Sequence, residues 1–157
     1  MAESQIQNFN HLKIHSQFSI CEGAIKIDDL KEISKEKKIR SLALCDTSNL
    51  CGALEFAEKI SKVGTQPIIG TQINFKLDDT IGLLPLFALN EIGYKRIIEL
   101  SSLSYLNNDG TLDPHLNFEE LLKNNEGVAI FSGTINGLVG QLFNKGKFSE
   151  IEKLYSK

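Results

Sequence analysis

Three stretches of this chain carry side chains whose types and spacing could do chemistry. In "HLKIH", His11 and His15 stand four residues apart with Lys13 between them. Strand alternation would put residues 11, 13 and 15 on one face, so two imidazoles and an ammonium would point the same way. Imidazoles are the commonest metal ligands, although a lone strand histidine is more often a satisfied structural residue. Lys13 is the residue no cation site would choose. In "ALCDTSNLCG", Ala43 to Gly52, Asp46 stands just past the C-terminal end of an apolar run. Functional groups of α/β folds gather at that end of a strand, but an Asp there is more often a turn or cap residue. "GTINGLVG", Gly133 to Gly140, follows a strand and opens a helix. Its glycine spacing misses G-x-G-x-x-G and no G-K-[ST] follows, so it reads as a tight turn before a nucleotide loop.

The elements that must hold these residues alternate. "HLKI" reads as a strand, and "IDDLKEISKEKK" (27–38) as a helix with Ile27, Leu30 and Ile33 on one face. "SLALC" (41–45) suits a buried strand. A helix over about 49–63 would present Leu50, Leu54, Ala57 and Ile60 together, with Thr47 or Ser48 as N-cap. Strands over 66–75 and 81–89 flank an Asp78-Asp79 turn, and Pro85 marks the second as an edge or interrupted strand. A helix follows over about 91–106, then the loop "NNDGTLDPH", rich in turn formers. Asn117 and Glu120 suggest a capping box for a short helix over 118–124, "GVAIFSG" (127–133) reads as a buried strand, and two helical pieces close the chain. This alternation implies an α/β protein with a largely parallel sheet.

Composition sets outer limits. The 157 residues, 41% hydrophobic and 24% charged, suit one soluble globular domain. A net charge of −3 gives no bulk attraction to nucleic acid. The mixed-sign run "KEISKEKKIR", Lys31 to Arg40, reads as a solvated helix face before a phosphate or partner contact. No apolar run approaches a membrane span and "MAESQIQNF" lacks a signal-peptide core, which points to the cytoplasm and to no membrane partner. Cys21, Cys45 and Cys51 include no CxxC pair and read as buried reduced thiols ahead of metal ligands or a redox pair.

Taken together, "HLKIHSQFS", "ALCDTSNLCG", "QPIIGTQINF", "NEIGYKRIIELSS" and "GVAIFSGTINGLVGQLF" resemble, in order and spacing, the PHP (polymerase and histidinol phosphatase) domain at the N-terminus of bacterial DNA polymerase III alpha subunits. The resemblance implies an incomplete, distorted (β/α)7 barrel of PHP type, with residues 1–157 forming the N-terminal part of a single PHP domain and the polymerase palm, fingers and later modules absent. Active members of that family hold divalent metals on strand-end ligands. Carried over by position, the first His of H-x-H is Lys13 and the second His15. The following Asp is Glu22, the His of T-D-H is Thr47 beside Asp46, the Glu after P-I-I-G is Gln72, and a later His falls near Leu83.

These replacements make the positions vestigial. An ammonium repels a divalent ion, neutral Thr47 and Gln72 oxygens bind weakly, and Leu83 offers nothing, whereas a hydrolytic site wants at least three protein ligands. The expectation is no catalytic residue, no bound metal and no cofactor in this chain. Lys13, partly desolvated in the old cavity, should instead pair with Glu22 or Asp46. The resemblance further implies a scaffold whose partners are the remainder of the alpha subunit and a proofreading exonuclease subunit, with DNA engaged only indirectly. The parent would be a DNA-directed DNA polymerase, a nucleotidyltransferase of DNA replication, while this chain alone would be inactive. The alternative is a metal-dependent phosphoesterase with a rearranged site.

Overall fold

The computed structural model describes residues 9–106, 110, 112–123 and 125–155. The signal-peptide reading of residues 1–8, most of the 107–111 loop and Asn124 at the end of the short helix lie outside the described residues. The chain divides into two compact units, the first ending at Thr71 and the second beginning at Gln72.

In the first unit α1 (Ile27–Lys37), β1 (Ser41–Thr47), α2 (Ala53–Ser61) and the opening half of β2 (Gln66–Leu77) follow in turn. The Gln66 N–H donates to the Arg40 carbonyl at 2.8 Å and the Thr71 hydroxyl to the Asp46 carbonyl at 2.6 Å. Both strands therefore advance together, so they run parallel and α2 is the crossover between them. Ile27, Leu30, Ile39, Leu42, Leu44, Phe56 and Ile60 form the core that this βαβ unit encloses. Along α1 the buried positions are Ile27, Leu30 and Ser34, while Ile33 is 39% exposed. At 100° per residue Ile33 lies about 120° from Ile27, and Ser34 returns to within about 20° of it.

α2 begins four residues later than the sequence suggests. The Asn49 side chain accepts from the Cys51 N–H (3.0 Å) and donates to the carbonyls of Thr47 (2.9 Å) and Phe18 (3.0 Å). This side-chain-closed turn, with Ser48 at φ 56°, uses up the segment in which Thr47 or Ser48 would cap. Gly52 becomes the N-cap, Ala53, Phe56 and Ile60 turn inward, and Leu54 is left 71% exposed.

The lead-in is not a regular strand. The Ala43 N–H donates to the His11 carbonyl (3.0 Å) and the Cys45 N–H to the Ile14 carbonyl (2.8 Å). Leu12 and Lys13 thus lie opposite Leu44 alone, the two-against-one count of a bulge; exposure still alternates from His11 to Ile14 and the alternation ends at His15, which is half-buried like Ile14. The chain then turns through Ser16–Gly23, where a Cβ on Gly23 would fall 2.1 Å from the Ser16 carbonyl oxygen.

The second unit contains the rest of β2, then β3 (Thr80–Ala88), α3 (Glu91–Leu106), β4 (His115–Asn117), α4 (Phe118–Lys123), β5 (Val128–Ile130), α5 (Leu138–Asn144) and α6 (Phe148–Tyr155). β3 lies between β2 and β5, and β4 also pairs with β2. The two-residue Asp78-Asp79 turn, with Asp78 at φ 54°, is a hairpin connection and makes β2 and β3 antiparallel. β3 and β5 are antiparallel (Leu86 opposite Ile130), whereas β2 and β4 are parallel (Asn74 opposite His115). The sheet is mixed rather than largely parallel, because a two-residue link is too short for a parallel crossover.

Pro85 does not mark an edge strand, since β3 has neighbours on both sides. It sits where the β5 ladder ends, and its carbonyl accepts the Phe131 N–H at 3.0 Å, so its missing donor interrupts nothing. β5 is also shorter and more open than expected for 127–133. It has three residues; Ile130 at its end is 41% exposed and Phe131 just beyond it 45%. α3 has the predicted bounds, and the Asn90 side chain caps it by accepting the Gly93 N–H at 2.9 Å. α4 opens directly after Asn117, but Glu120 pairs forward with Lys123. No helix among the described residues is long and apolar enough to cross a membrane.

Candidate functional site

Asp46 ends the buried run of β1 and is 1% exposed. A buried carboxylate needs donors, and the turn after His15 supplies them. The Ser16 N–H donates at 2.6 Å, the Ser16 hydroxyl at 2.7 Å and the Ser19 hydroxyl at 2.7 Å. Each serine oxygen also accepts a backbone N–H, from Phe18 (3.2 Å) and Thr47 (3.0 Å) respectively. Asp46 is therefore the hub that ties the 16–23 turn to the carboxyl end of β1. Ser16 and Ser19 are the residues that the sequence reading missed. Their only signal was two hydroxyls three apart in a loop preceding a buried Asp.

Beside this hub the Thr47 hydroxyl donates to Glu22, whose Oε2 lies 3.9 Å from His15 Nδ1. That separation is too long for a hydrogen bond, and His15 Nδ1 is buried with no hydrogen-bond partner among the described residues. His11 is exposed and its ring makes an edge contact with Phe9, with centroids 4.9 Å apart. It does not share a face with His15.

Lys13 does not form the expected pair. It is exposed and makes no ion pair among the described residues, with either Glu22 or Asp46. Leu12 and Ile14, the half-buried residues on either side of it, take the inward places, and Ile14 packs against the core of the unit, so alternation leaves Lys13 on the outward side. Its charge reaches the Cys45 thiol. Burial pushes that thiol up to about 12, and the Lys13 ammonium opposes the shift. Cys45 is thus an inert buried thiol, whereas Cys21 and Cys51 are free but exposed rather than buried, because both lie in turns outside the apolar run.

Gln72 is buried at the start of the second unit, and Leu83, in the same unit, makes an isolated bridge with Gly137. The Gly133–Gly140 stretch closes on itself. The Gly137 N–H donates to the Thr134 carbonyl at 2.8 Å, and a Cβ at Gly137 would meet the Leu83 carbonyl oxygen at 2.9 Å. No cradle for a phosphate is left.

The donor set does not fit a divalent metal. Both Asp46 oxygens already accept hydrogen bonds, the Thr47 hydroxyl is turned to Glu22, and Lys13 points to water. Among the described residues no three His, Cys, Asp or Glu side chains are grouped to hold an ion. His15 and Glu22 alone fall short of the three ligands a hydrolytic centre needs.

A parallel βαβ unit with its polar cluster at the carboxyl end of β1 defines a protein of the (β/α) class. The PHP domain profile matches residues 11–157, and the chain belongs to the PHP domain family. It is 38% identical over 134 residues to the DNA polymerase III subunit alpha of Rickettsia felis, covering 85% of this chain and 11% of that one. With the same subunit of Caulobacter vibrioides it shares 34% identity over 163 residues, covering 96% of this chain and 14% of the relative. The chain thus spans a small fraction of the length of these homologues. A solved structure named as a metal-dependent phosphoesterase, from Bifidobacterium adolescentis, aligns with TM-score 0.46 and 17% identity over 90% of this chain and 52% of its own.

Proposed function

We propose that the chain acts as the N-terminal PHP region of a bacterial replicative DNA polymerase III alpha subunit, a non-catalytic scaffold in the cytoplasm that docks a proofreading exonuclease subunit. The observation that supports the non-catalytic part is the set of three hydrogen bonds that buried Asp46 accepts from Ser16 and Ser19. A buried carboxylate engaged in this way serves as an internal staple, and recruiting it as a ligand or base would cost those bonds. The nucleotidyl transfer of the parent subunit would belong to other modules, since it needs carboxylates holding two magnesium ions.

Two measurements test this reading. Elemental analysis of the purified chain is expected to find no stoichiometric zinc, manganese or iron, and hydrolysis of bis(p-nitrophenyl) phosphate should stay at background with any of these ions, in Lys13→His as in the wild type. Chelator-sensitive hydrolysis by the wild type would establish the phosphoesterase instead. Size-exclusion chromatography with the proofreading exonuclease should give a stoichiometric complex, and independent elution would remove the docking role.

A further inference from the structure

We infer that the amino-terminal rim of the first unit is a contact surface for the phosphate backbone of nucleic acid, formed by Lys35, Lys38, Arg40 and Lys62. This rim lies at the opposite end of β1 from the Asp46 cluster, and the inference stands whether or not the scaffold reading does.

The topology brings these cations together. α1 ends at Lys37 with Lys38 as its C-cap in the left-handed region, and Arg40 immediately precedes β1. α2 ends at Ser61 with Lys62 as its C-cap. The two helix ends are tied to one rim, because the Thr65 hydroxyl donates to the Ile39 carbonyl at 2.6 Å and the Gln66 N–H to the Arg40 carbonyl at 2.8 Å. All four side chains are exposed. Their neighbour Lys37 is paired with Glu36 at 3.1 Å, but none of the four forms an ion pair among the described residues.

Helix dipoles explain the sign of this charge and not its amount. Two helix C-termini present about −0.5 charge each, roughly −1 in all, against four cations. The net charge of −3 is no objection, since screening limits each charge to a range of about 10 Å at 0.1 M salt. The character of the surface selects the partner. Protein interfaces centre on aromatic and apolar anchors, and the only large apolar side chain exposed along α1 is Ile33, with none on the Lys38–Arg40 link. Cations without an apolar anchor suit a phosphate backbone, which is read by charge alone.

The test is fluorescence anisotropy of the full chain with a labelled DNA duplex of about 20 base pairs, titrated at several salt concentrations. Four phosphate contacts predict a slope of log affinity on log salt of about −3.6, which is roughly a hundredfold loss between about 50 and about 200 mM salt. A Lys35→Gln/Lys38→Gln/Arg40→Gln variant should lower the slope to about −0.9 with an unchanged circular dichroism spectrum, whereas Lys95→Gln/Lys123→Gln should bind as the wild type does. If the triple variant misfolds, Arg40→Gln and Lys62→Gln singly should each reduce the slope by about 1. Three outcomes overturn the inference. They are undetectable binding, equal binding by wild type and triple variant, and tighter binding of poly-glutamate than of the duplex at matched charge, which would mark an acidic protein as the partner.

Discussion

Replacing Asp46 by alanine withdraws the acceptor from three donors at once. The Ser16 N–H, which the carboxylate holds at 2.6 Å, would be left buried without a partner, a loss of about 1–3 kcal/mol. The Ser16 and Ser19 hydroxyls would lose bonds of 2.7 Å each, although both oxygens keep the backbone N–H they accept. Because hydroxyls can rotate to weaker partners, these two together add about 2 kcal/mol rather than the full sum. Asp46→Ala should therefore destabilise by about 3–5 kcal/mol, and Asp46→Asn, which keeps the shape and one acceptor oxygen, by about 1–3. Urea unfolding followed by far-ultraviolet circular dichroism measures the loss. Amide hydrogen exchange locates it, since protection should fall first at Ser16 and Thr47. If Asp46→Ala stays within about 0.5 kcal/mol of the wild type, or Ser16 keeps its protection, Asp46 is not the hub described here.

Lys13→Ala should be neutral to within about 0.5 kcal/mol, and a double-mutant cycle with Glu22→Gln should show no coupling, because the ammonium lies in water. A coupling above about 1 kcal/mol would restore the inward-facing lysine. Cys45 makes folding sensitive to alkali. Burial pushes its folded thiol up to about 12 from an ordinary 9.0, so its contribution is complete below pH 9 and is lost as pH rises toward 12. Stability measured over that window should fall by about 1.4 kcal/mol per pH unit more steeply in the wild type than in Cys45→Ala, and parallel curves would refute the shift.

The sequence made α3 and the β2–β3 hairpin legible because local signals decide both. A sustained helical stretch after Asn90 sets one, and a two-residue acidic turn between apolar runs sets the other. α2 was placed too early because Asn49 spends its side chain on a turn, a tertiary choice that propensity does not record. The 127–133 stretch is apolar enough for a buried strand, yet its burial depends on neighbours that periodicity cannot reveal. The Asp46 position was legible from its place after an apolar strand. The identity of its partners was not, because Ser16 and Ser19 reach it across about thirty residues of chain through a turn whose path no local pattern encodes.

The two-against-one register at Leu12 and Lys13 has a consequence for any attempt to rebuild a metal centre here. Side chains along an extended segment are indexed by parity, and here Leu12 and Ile14 hold the inward places while His11 and Lys13 hold the outward ones. A histidine introduced at position 13 would inherit the outward phase and meet solvent. Substitution alone therefore cannot return that ligand to the interior, however many partners are repaired around it. Deleting Leu12 would move residue 13 into the inward place first, and only then would its chemistry matter.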